Sequence, residues 1–567
     1  MTIRFDFHNQ TLIFDNPVEI IQTDNCHEVL DKLAEVELRV ASGLYAAGYI
    51  SYEAAAAFQP HYLTSPQGSM PLLWFALYSS PSADDQSMEQ ALNPNMHWRP
   101  RTDARQFNQA INTIKRQIEQ GNTYQVNYTI RLESQFEGPS YEFYRALLNA
   151  QSASYSAYLD TGRFKILSAS PELFFHLENG RIKTKPMKGT SPRGKTSAED
   201  CEQRQQLFSE KNRAENVMIV DLLRNDLSQI AKPGSVKVEQ LFAAEKYPTV
   251  WQLTSTISAE IEDKLSLAEI FKALFPCGSI TGAPKASTMK LIAELEPEAR
   301  EVYCGAIGYI TPQRKAIFNV PIRTVIIDSH NSSAQYGVGG GITWDSTAED
   351  EYQEIVNKTK VLYGTLQPEG LIESLLISNG DYFLYDLHLN RLTASADYFD
   401  FVFQRHDVEE RLKHAAQQYG NGDWKIRLTL DRQNNIDISA QPVEANAFPI
   451  TAHWALAPMD SNNPLLYHKT VVRHHYPTLT HGEEQLLYNE RDEITEFVNG
   501  NVVLVINGQY LTPSVKSGLL PGTMRQHLIE QGVIREATLY RSQLEQASQI
   551  YFINSVRQWR TVHWRQR

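Results

Sequence analysis

The chain has 567 residues, more than one hydrophobic core can organise, which predicts two to four domains. Hydrophobic residues make up 42% and charged residues 21%, the balance of a soluble globular protein. A formal net charge of −13 excludes a general nucleic-acid binder, because a bulk polyanion would be repelled, and leaves room only for a local basic pocket.

The opening residues Met1 to Phe7 lack the apolar core of a signal peptide, and no apolar run approaches a membrane span. Cys26, Cys201, Cys277 and Cys304 show no CxxC spacing, which predicts reduced thiols in a cytoplasmic protein. The first hundred or so residues mix short strands and helices, with a Ser/Pro-rich loop from Ser79 to Ser82. Phe107, Ile111, Ile114 and Ile118 form one helix stripe, with Gly121 as its C-cap, and Val126, Tyr128, Ile130 and Leu132 then alternate as a strand.

Phe174 to Leu177 reads as a strand that turns at Asn179-Gly180, a strong hairpin signal, and returns from Arg181 to Lys185. Pairing 178 with 181 sets 172 opposite 187, so Glu172 falls beside Lys188. Pro171 and Pro186 interrupt the pairing and leave the faces open. An amine beside a carboxyl is either a surface ion pair or a site; Gly189 and Thr190 after the lysine favour a ligand close to the backbone. One long helix is expected from Glu202 to Leu227, and strands at Val236 to Val238 and Phe318 to Ile327. The strands are grouped rather than alternating with helices, which predicts an α+β fold.

Gly337, Gly339, Gly340 and Gly341 fit neither a dinucleotide fingerprint nor a P-loop, and neither does the stretch Gly278 to Lys285. These glycines either make tight turns or present backbone N–H groups to a small anion, with Arg323 as a carboxylate clamp. A helix is expected from Asp345 to Tyr363, with capping-box spacing at Ser346 and Glu349 and with Tyr352, Ile355 and Leu362 on its buried side. It sets Glu351, Glu354 and Lys358 on one face, either a solvated stripe or, with Glu215, the carboxylates of a Mg²⁺ site.

Near Pro368 to Gly370 a second domain begins, giving expected domains of 1–365 and 370–567. Phe383, Tyr385 and Leu387 alternate, as do Trp424, Ile426, Leu428 and Leu430. Leu520-Pro-Gly-Thr523 precedes a helix from Met524 to Glu530, whose N-terminus suits a phosphate. Taken singly, Arg391, Lys469 and Gly522 are equally well a surface cation, a solvated amine and a turn.

Several motifs in fixed order change that balance. They are Gly121 to Asn127, Ser170 to Glu172, Ala214 to Asp226, Phe275 to Lys285, Tyr303 to Gly308, Ile322 to Thr324 and Glu351 to Glu354. Residues from about Gln117 to Tyr363 resemble the chorismate-utilising enzymes, and Gly48 to Ala54 resembles their N-terminal region. The resemblance implies an antiparallel β-sandwich wrapped by helices, with Mg²⁺ on Glu215 and Glu354 supported by Glu351. Glu172 matches a general acid for the C4 hydroxyl. Tyr303, Arg323 and the backbone of Gly339, Gly340 and Gly341 match substrate-carboxylate contacts, with Thr190 and Lys358 in the same substrate set. Lys188 separates the branches: it matches the nucleophile that attacks C2 of chorismate in aminodeoxychorismate-forming enzymes, where anthranilate-forming ones carry Ala. Asn216 and Gln252 stand where the family commonly has His.

After Gly370 the chain resembles the class IV pyridoxal-phosphate fold. Lys469 matches the cofactor-bearing lysine and Glu496 the partner of the pyridine nitrogen. Arg391, the backbone of Thr523 and Met524, and Asn554-Ser555 match the phosphate cup, while Ser374 aligns with a proton-transfer threonine. The resemblances together imply conversion of chorismate and ammonia to 4-amino-4-deoxychorismate, then loss of pyruvate to give 4-aminobenzoate for folate synthesis. Ammonia would come from a separate glutamine amidotransferase, since no Gly-x-Cys-x-Gly turn is present. A homodimer through the second domain is compatible with this family. The alternatives are a synthase with a non-catalytic second domain, and an anthranilate or isochorismate synthase.

Overall fold

The computed structural model describes residues 1–8, 10–82, 96–364, 367–443, 449–479 and 482–565. The chain divides into two units, Met1–Arg193 with Gln203–Thr365, and Gly194–Glu202 with Leu366–Arg567. No helix among the described residues is long and apolar enough to cross a membrane. All four cysteines are free thiols.

Among the described residues the first unit contains two antiparallel sheets, of nine and ten strands. Their facing surfaces share a core that includes Phe5, Phe14, Ile166, Tyr49, Trp74 and Tyr309. One outer face is covered by helices Val29–Ala41, Glu210–Ser228 and Leu267–Leu274. The other carries Ala104–Glu119 and Ser140–Gln151. The stripe of Phe107, Ile111 and Ile114 is buried there, and Gly121 takes positive φ just past the helix end. The strand Gln125–Gln135 is buried on both faces over most of its length.

Several local expectations are corrected. The hairpin pairs Glu178 with Arg181 as expected, but its register shifts before Leu173, which pairs with Lys185. Met187–Pro192 then pairs with Val250–Glu260 rather than continuing the hairpin. The expected helix over 202–227 is two helices, Ser197–Gln206 and Glu210–Ser228. Leu207 drops into a cluster with Trp251 and Leu253, and the Ser209 hydroxyl caps the second helix by accepting from the Asn212 amide. The strand expected from Phe318 to Ile327 is interrupted between Ala316–Asn319 and Thr324–Asp328. The glycines at 337, 339, 340 and 341 make no turn; they lie within strand Ser333–Ile342, paired with Gln125–Gln135. The last helix of the unit spans Ala348–Thr359 and is capped by Thr347 with Asp350, because Ser346 is committed to Glu351. Ile355 and Leu362 are buried, but Tyr352 is exposed.

The second unit is α+β. A four-stranded sheet built around Gly370–Ser378 and Asp423–Asp431 packs against helices Tyr385–Tyr398 and Arg405–Gln418. An eight-stranded sheet carries Glu483–Tyr488, Ile494–Phe497 and Gln549–Asn554. The alternation at Phe383, Tyr385 and Leu387 is not a strand: the chain turns into the helix at Leu384, which takes positive φ.

Candidate active sites

In the first unit, Lys188 and Gly189 fall at the point where the pairing of Met187–Pro192 with its neighbour slips. Gly189 has φ +96°, a conformation that a side chain would resist. Asn216 Nδ2 donates to the Lys188 carbonyl at 3.3 Å and to the Leu253 carbonyl at 3.3 Å, while its Oδ1 accepts from Ser255 at 2.6 Å. At this position a neutral amide clamps the backbone of the lysine. Thr190 Oγ1 donates to Gln252 Oε1 at 3.2 Å, so Gln252 is likewise held by the strand it faces.

The Lys188 amine, Glu172, Glu215, Glu351, Glu354 and Lys358 line one cavity. Burial lowers the Lys188 pKa, against the pull of Glu215. Burial pushes Glu172 up to about 7, although Ser279, Lys188 and the Met187 amide all favour its charged form. The Ser279 hydroxyl donates to Glu172 Oε1 at 2.6 Å. An acid raised and an amine lowered in one enclosure is the polarity required of a proton donor beside a neutral nucleophile.

Glu351 Oε1 accepts from Ser346 at 2.6 Å, and Glu354 pairs with Lys358 at 2.6 Å. Burial opposes the charge on Glu354, but Lys358 outweighs it and holds the carboxyl low; burial raises Glu351 and Glu215. Lys358 Nζ also donates to the Gly339 carbonyl at 2.7 Å. A Cβ on Gly340 would stand 2.9 Å from Glu351 Oε2, which explains the missing side chain there. Among the described residues no three His, Cys, Asp or Glu form a group able to hold a metal by themselves. Glu215 and Glu354, both lining the cavity, nevertheless fit Mg²⁺, which takes few protein carboxylates and keeps several ligand positions for water and substrate oxygens.

Arg323 sits where the interrupted strand bends, with φ +51°. A non-glycine residue in that region costs on the order of 1 kcal/mol and marks a side chain whose direction is fixed. Its guanidinium is buried, Nη1 has no hydrogen-bond partner, and burial lowers its pKa. Tyr303 lies in the same lining, with the Arg131 guanidinium 4.8 Å from its ring centre.

Two residues escaped the sequence reading although both lie inside quoted motifs. Ser279 is one. Gln125 is the other: it is buried, and both atoms of its amide lack partners. A Cβ on Gly341 would collide with its amide nitrogen and stand 2.6 Å from Lys188 Nζ, so the amide and the amine flank one point. Neither residue type carries a charge, so nothing in composition or spacing distinguishes it.

In the second unit Ser374, Arg391, Lys469, Glu496, Thr523, Asn554 and Ser555 line a second cavity. Burial and then Arg391 bring Lys469 down to about 8. Arg391 is held by Glu373 through Nε at 2.8 Å and Nη2 at 2.7 Å. Despite burial, Arg391 and His388 keep Glu373 at about 2. His388 meets Glu373 at 2.6 Å and Thr523 Oγ1 at 3.2 Å, tying the arginine to the start of helix Thr523–Glu530. The Asn554 side chain accepts from the amides of Val556 and Arg557, and Ser555 donates to the Ser374 carbonyl at 3.2 Å. Only the backbone of Met524 can serve a ligand, since its side chain packs with Val503 and Ile553. A lysine of low pKa, a carboxyl and a helix N-terminus beside a guanidinium fit an aromatic aldehyde phosphate. Arg473, which follows Lys469 in the pattern Lys469-Thr470-x-x-Arg473, shares this lining, as do Lys425, Tyr476 and Arg557, to which the sequence pattern does not point.

The first unit is thus an antiparallel sandwich enclosing a cavity that sets an acid beside an amine. Residues 3–364 match the chorismate binding enzyme family, and the chain belongs to it. Residues 370–563 match amino-transferase class IV. Over 271 residues the chain is 41% identical to aminodeoxychorismate synthase component 1 of Salmonella typhimurium, covering 48% of this chain and 59% of that protein. Over 272 residues it is 38% identical to anthranilate synthase component 1 of Aquifex aeolicus, covering 48% of this chain and 55% of that protein. The chain thus spans under two thirds of the length of these relatives. Anthranilate synthase component I from Streptococcus pneumoniae superimposes with a TM-score of 0.55 at 26% identity, over 63% of this chain and 92% of that one.

Proposed function

We propose that the chain aminates chorismate in its first unit and eliminates pyruvate in its second, giving 4-aminobenzoate, with ammonia supplied by a glutamine amidotransferase partner. The observation that carries this reading is Lys188 beside Glu172 in one cavity: the amine is lowered and the carboxyl raised by the same burial.

Arg323 and Tyr303 bind the substrate carboxylate, with the Gly339 to Gly341 backbone alongside. Glu215 and Glu354, with Glu351 in support, would hold Mg²⁺, which would supply charge compensation for the substrate carboxylate. Neutral Lys188 forms a bond to C2. The ring double bond shifts, the C4 oxygen departs, and Glu172 gives that oxygen its proton, so hydroxide leaves as water. Ammonia then bonds to C4 and returns a proton to Glu172, the double bond returns, and the Lys188 amine is released.

In the second unit Arg391, the Thr523 and Met524 backbone, Asn554 and Ser555 would hold the cofactor phosphate, and Glu496 would serve its pyridine nitrogen. Pyridoxal phosphate, when bound, supplies an electron sink. Lys469 Nζ would take the proton from the ring carbon bearing the amine; the C3–O bond to the enolpyruvyl group breaks as the ring becomes aromatic, and the departing enol takes up a proton to leave as pyruvate, with Ser374 in the same lining to relay it. The fusion of the two activities, in a cytoplasmic protein, would spare release of the amine intermediate as a final product.

The test is product identification from chorismate, Mg²⁺ and ammonium. The expected product is 4-aminobenzoate with pyridoxal phosphate present and 4-amino-4-deoxychorismate without it. Anthranilate or salicylate as the main product overturns the reading. A protein that never takes up pyridoxal phosphate reduces the second unit to an interaction module.

A further inference from the structure

Glu496 is enclosed by donors. The Tyr476 hydroxyl donates to its Oε1 at 2.9 Å and the Leu520 amide to the same oxygen at 3.2 Å. Asn501 Nδ2 donates to Oε2 at 3.2 Å. An ionised carboxylate accepts at about four positions, two on each oxygen. Three are taken, and the cavity that Glu496 lines is left with one, on Oε2.

We propose that Tyr476 is a positioning residue of the second site: its hydroxyl occupies Glu496 Oε1 and favours the charged carboxylate, so that the single remaining lone pair on Oε2 is the one offered to a protonated pyridine nitrogen. This rests on the pyridoxal-phosphate reading given above and adds a residue that the reading does not contain.

The donors are not equivalent. Leu520 contributes backbone, and Asn501 Nδ2 spends one N–H on Glu496 Oε2 and the other on the Leu520 carbonyl at 2.9 Å. Among the described residues, Tyr476 supplies the side-chain donor to Glu496 Oε1, and at 2.9 Å it is the shortest of the three. Burial and then the neighbouring Glu496 push the Tyr476 hydroxyl well above the ordinary phenol range, so it stays protonated and donating. Its ring is held in place by Arg473, whose guanidinium lies 4.6 Å from the ring centre while Nη2 donates to the Val498 carbonyl at 2.7 Å. The charged groups bearing on Glu496 are Arg473 and Lys469, with Arg525 from helix Thr523–Glu530. Burial pushes Glu496 up to about 8 in spite of them, so each donor it keeps lowers the cost of the charged form that a cation at the free lone pair completes.

The consequence is spectroscopic. Protonation of the pyridine nitrogen draws electrons from the group bonded to Lys469 and lowers its basicity. Holo-protein loaded with pyridoxal phosphate is titrated with pH while the visible band is followed in the unaltered chain, Tyr476→Phe and Glu496→Gln. The expected result is an upward shift of the midpoint in Tyr476→Phe, in the direction of Glu496→Gln but smaller, at unchanged cofactor stoichiometry. A Tyr476→Phe midpoint that coincides with the unaltered protein while Glu496→Gln moves overturns the proposal. If Tyr476→Phe does not fold, Arg473→Lys, which keeps the cation near Glu496 and Lys469 while loosening its hold on the tyrosine ring, carries the same expectation. No visible band in the unaltered protein removes the cofactor reading and this proposal with it; a band that Glu496→Gln leaves in place removes only the proposal.

Discussion

The Ser279 hydroxyl donates to Glu172 Oε1 at 2.6 Å inside a cavity that otherwise disfavours charge on that carboxyl. Burial wins, and the carboxyl stands at about 7. A proton donor must be protonated, so synthase activity falls as pH rises through about 7. The serine bond favours the charged form; removing it raises the Glu172 pKa further. Ser279→Ala is therefore expected to move the alkaline limb of the kcat/KM profile to higher pH. A limb that stays in place or moves down would separate Glu172 from the proton-donor role.

Lys188→Ala removes the amine while the clamp from Asn216 reaches only the backbone carbonyl, which the variant keeps. The fold should survive. Amination of chorismate should drop by about 10³-fold or more, as for loss of other covalent nucleophiles. Conversion of supplied 4-amino-4-deoxychorismate to 4-aminobenzoate should persist, because Lys469 lies in the second unit. Synthase turnover within a few-fold of the unaltered protein would refute nucleophilic attack by this residue.

Arg323 is a buried cation whose Nη1 has no partner in the free protein. Such a group costs stability until an anion arrives. Arg323→Met should stabilise the ligand-free first unit by about 1–3 kcal/mol and abolish the chorismate-induced rise in melting temperature. Thermal melts with and without chorismate read both effects. A variant that melts lower and still responds to chorismate would show that the arginine serves packing instead.

How far the sequence reaches can be seen in these residues. Charged and glycine positions in long motifs were legible: Lys188, Glu172, Glu215, Glu354 and Arg323 line one cavity. So was the helix start at Gly522-Thr523, because a cap has a local signature. The hairpin turn was legible too, but the register shift before Leu173 was not, since a bulge answers to packing beyond the two strands. The break at Leu207 to Ser209 was hidden for a related reason: residues 202–216 hold too few apolar positions to phase one helix or two, and burial of Leu207 against Trp251 decides where the first helix ends. Gln125, Ser279 and Tyr476 act as uncharged donors or acceptors, and their meaning comes from what lies opposite in the fold.

Lys285 and Asp226 form a buried pair at 2.8 Å, and Lys285 Nζ also reaches the Leu274 carbonyl at 3.3 Å. The aspartate closes the helix that carries Glu215, and the lysine opens helix Lys285–Leu295, directly after the motif that places Ser279. Burial raises the Asp226 pKa while Lys285 pulls it down, so the charged pair depends on both members. Removing one leaves an uncompensated charge in the core, at a cost of about 3–5 kcal/mol. Asp226→Leu should therefore destabilise the first unit by about that amount in chemical denaturation. Asp226→Leu combined with Lys285→Met removes both charges and should recover most of the loss. Additive destabilisation in the double variant would mean that the two side chains stabilise independently and that the pair is not what joins these helices.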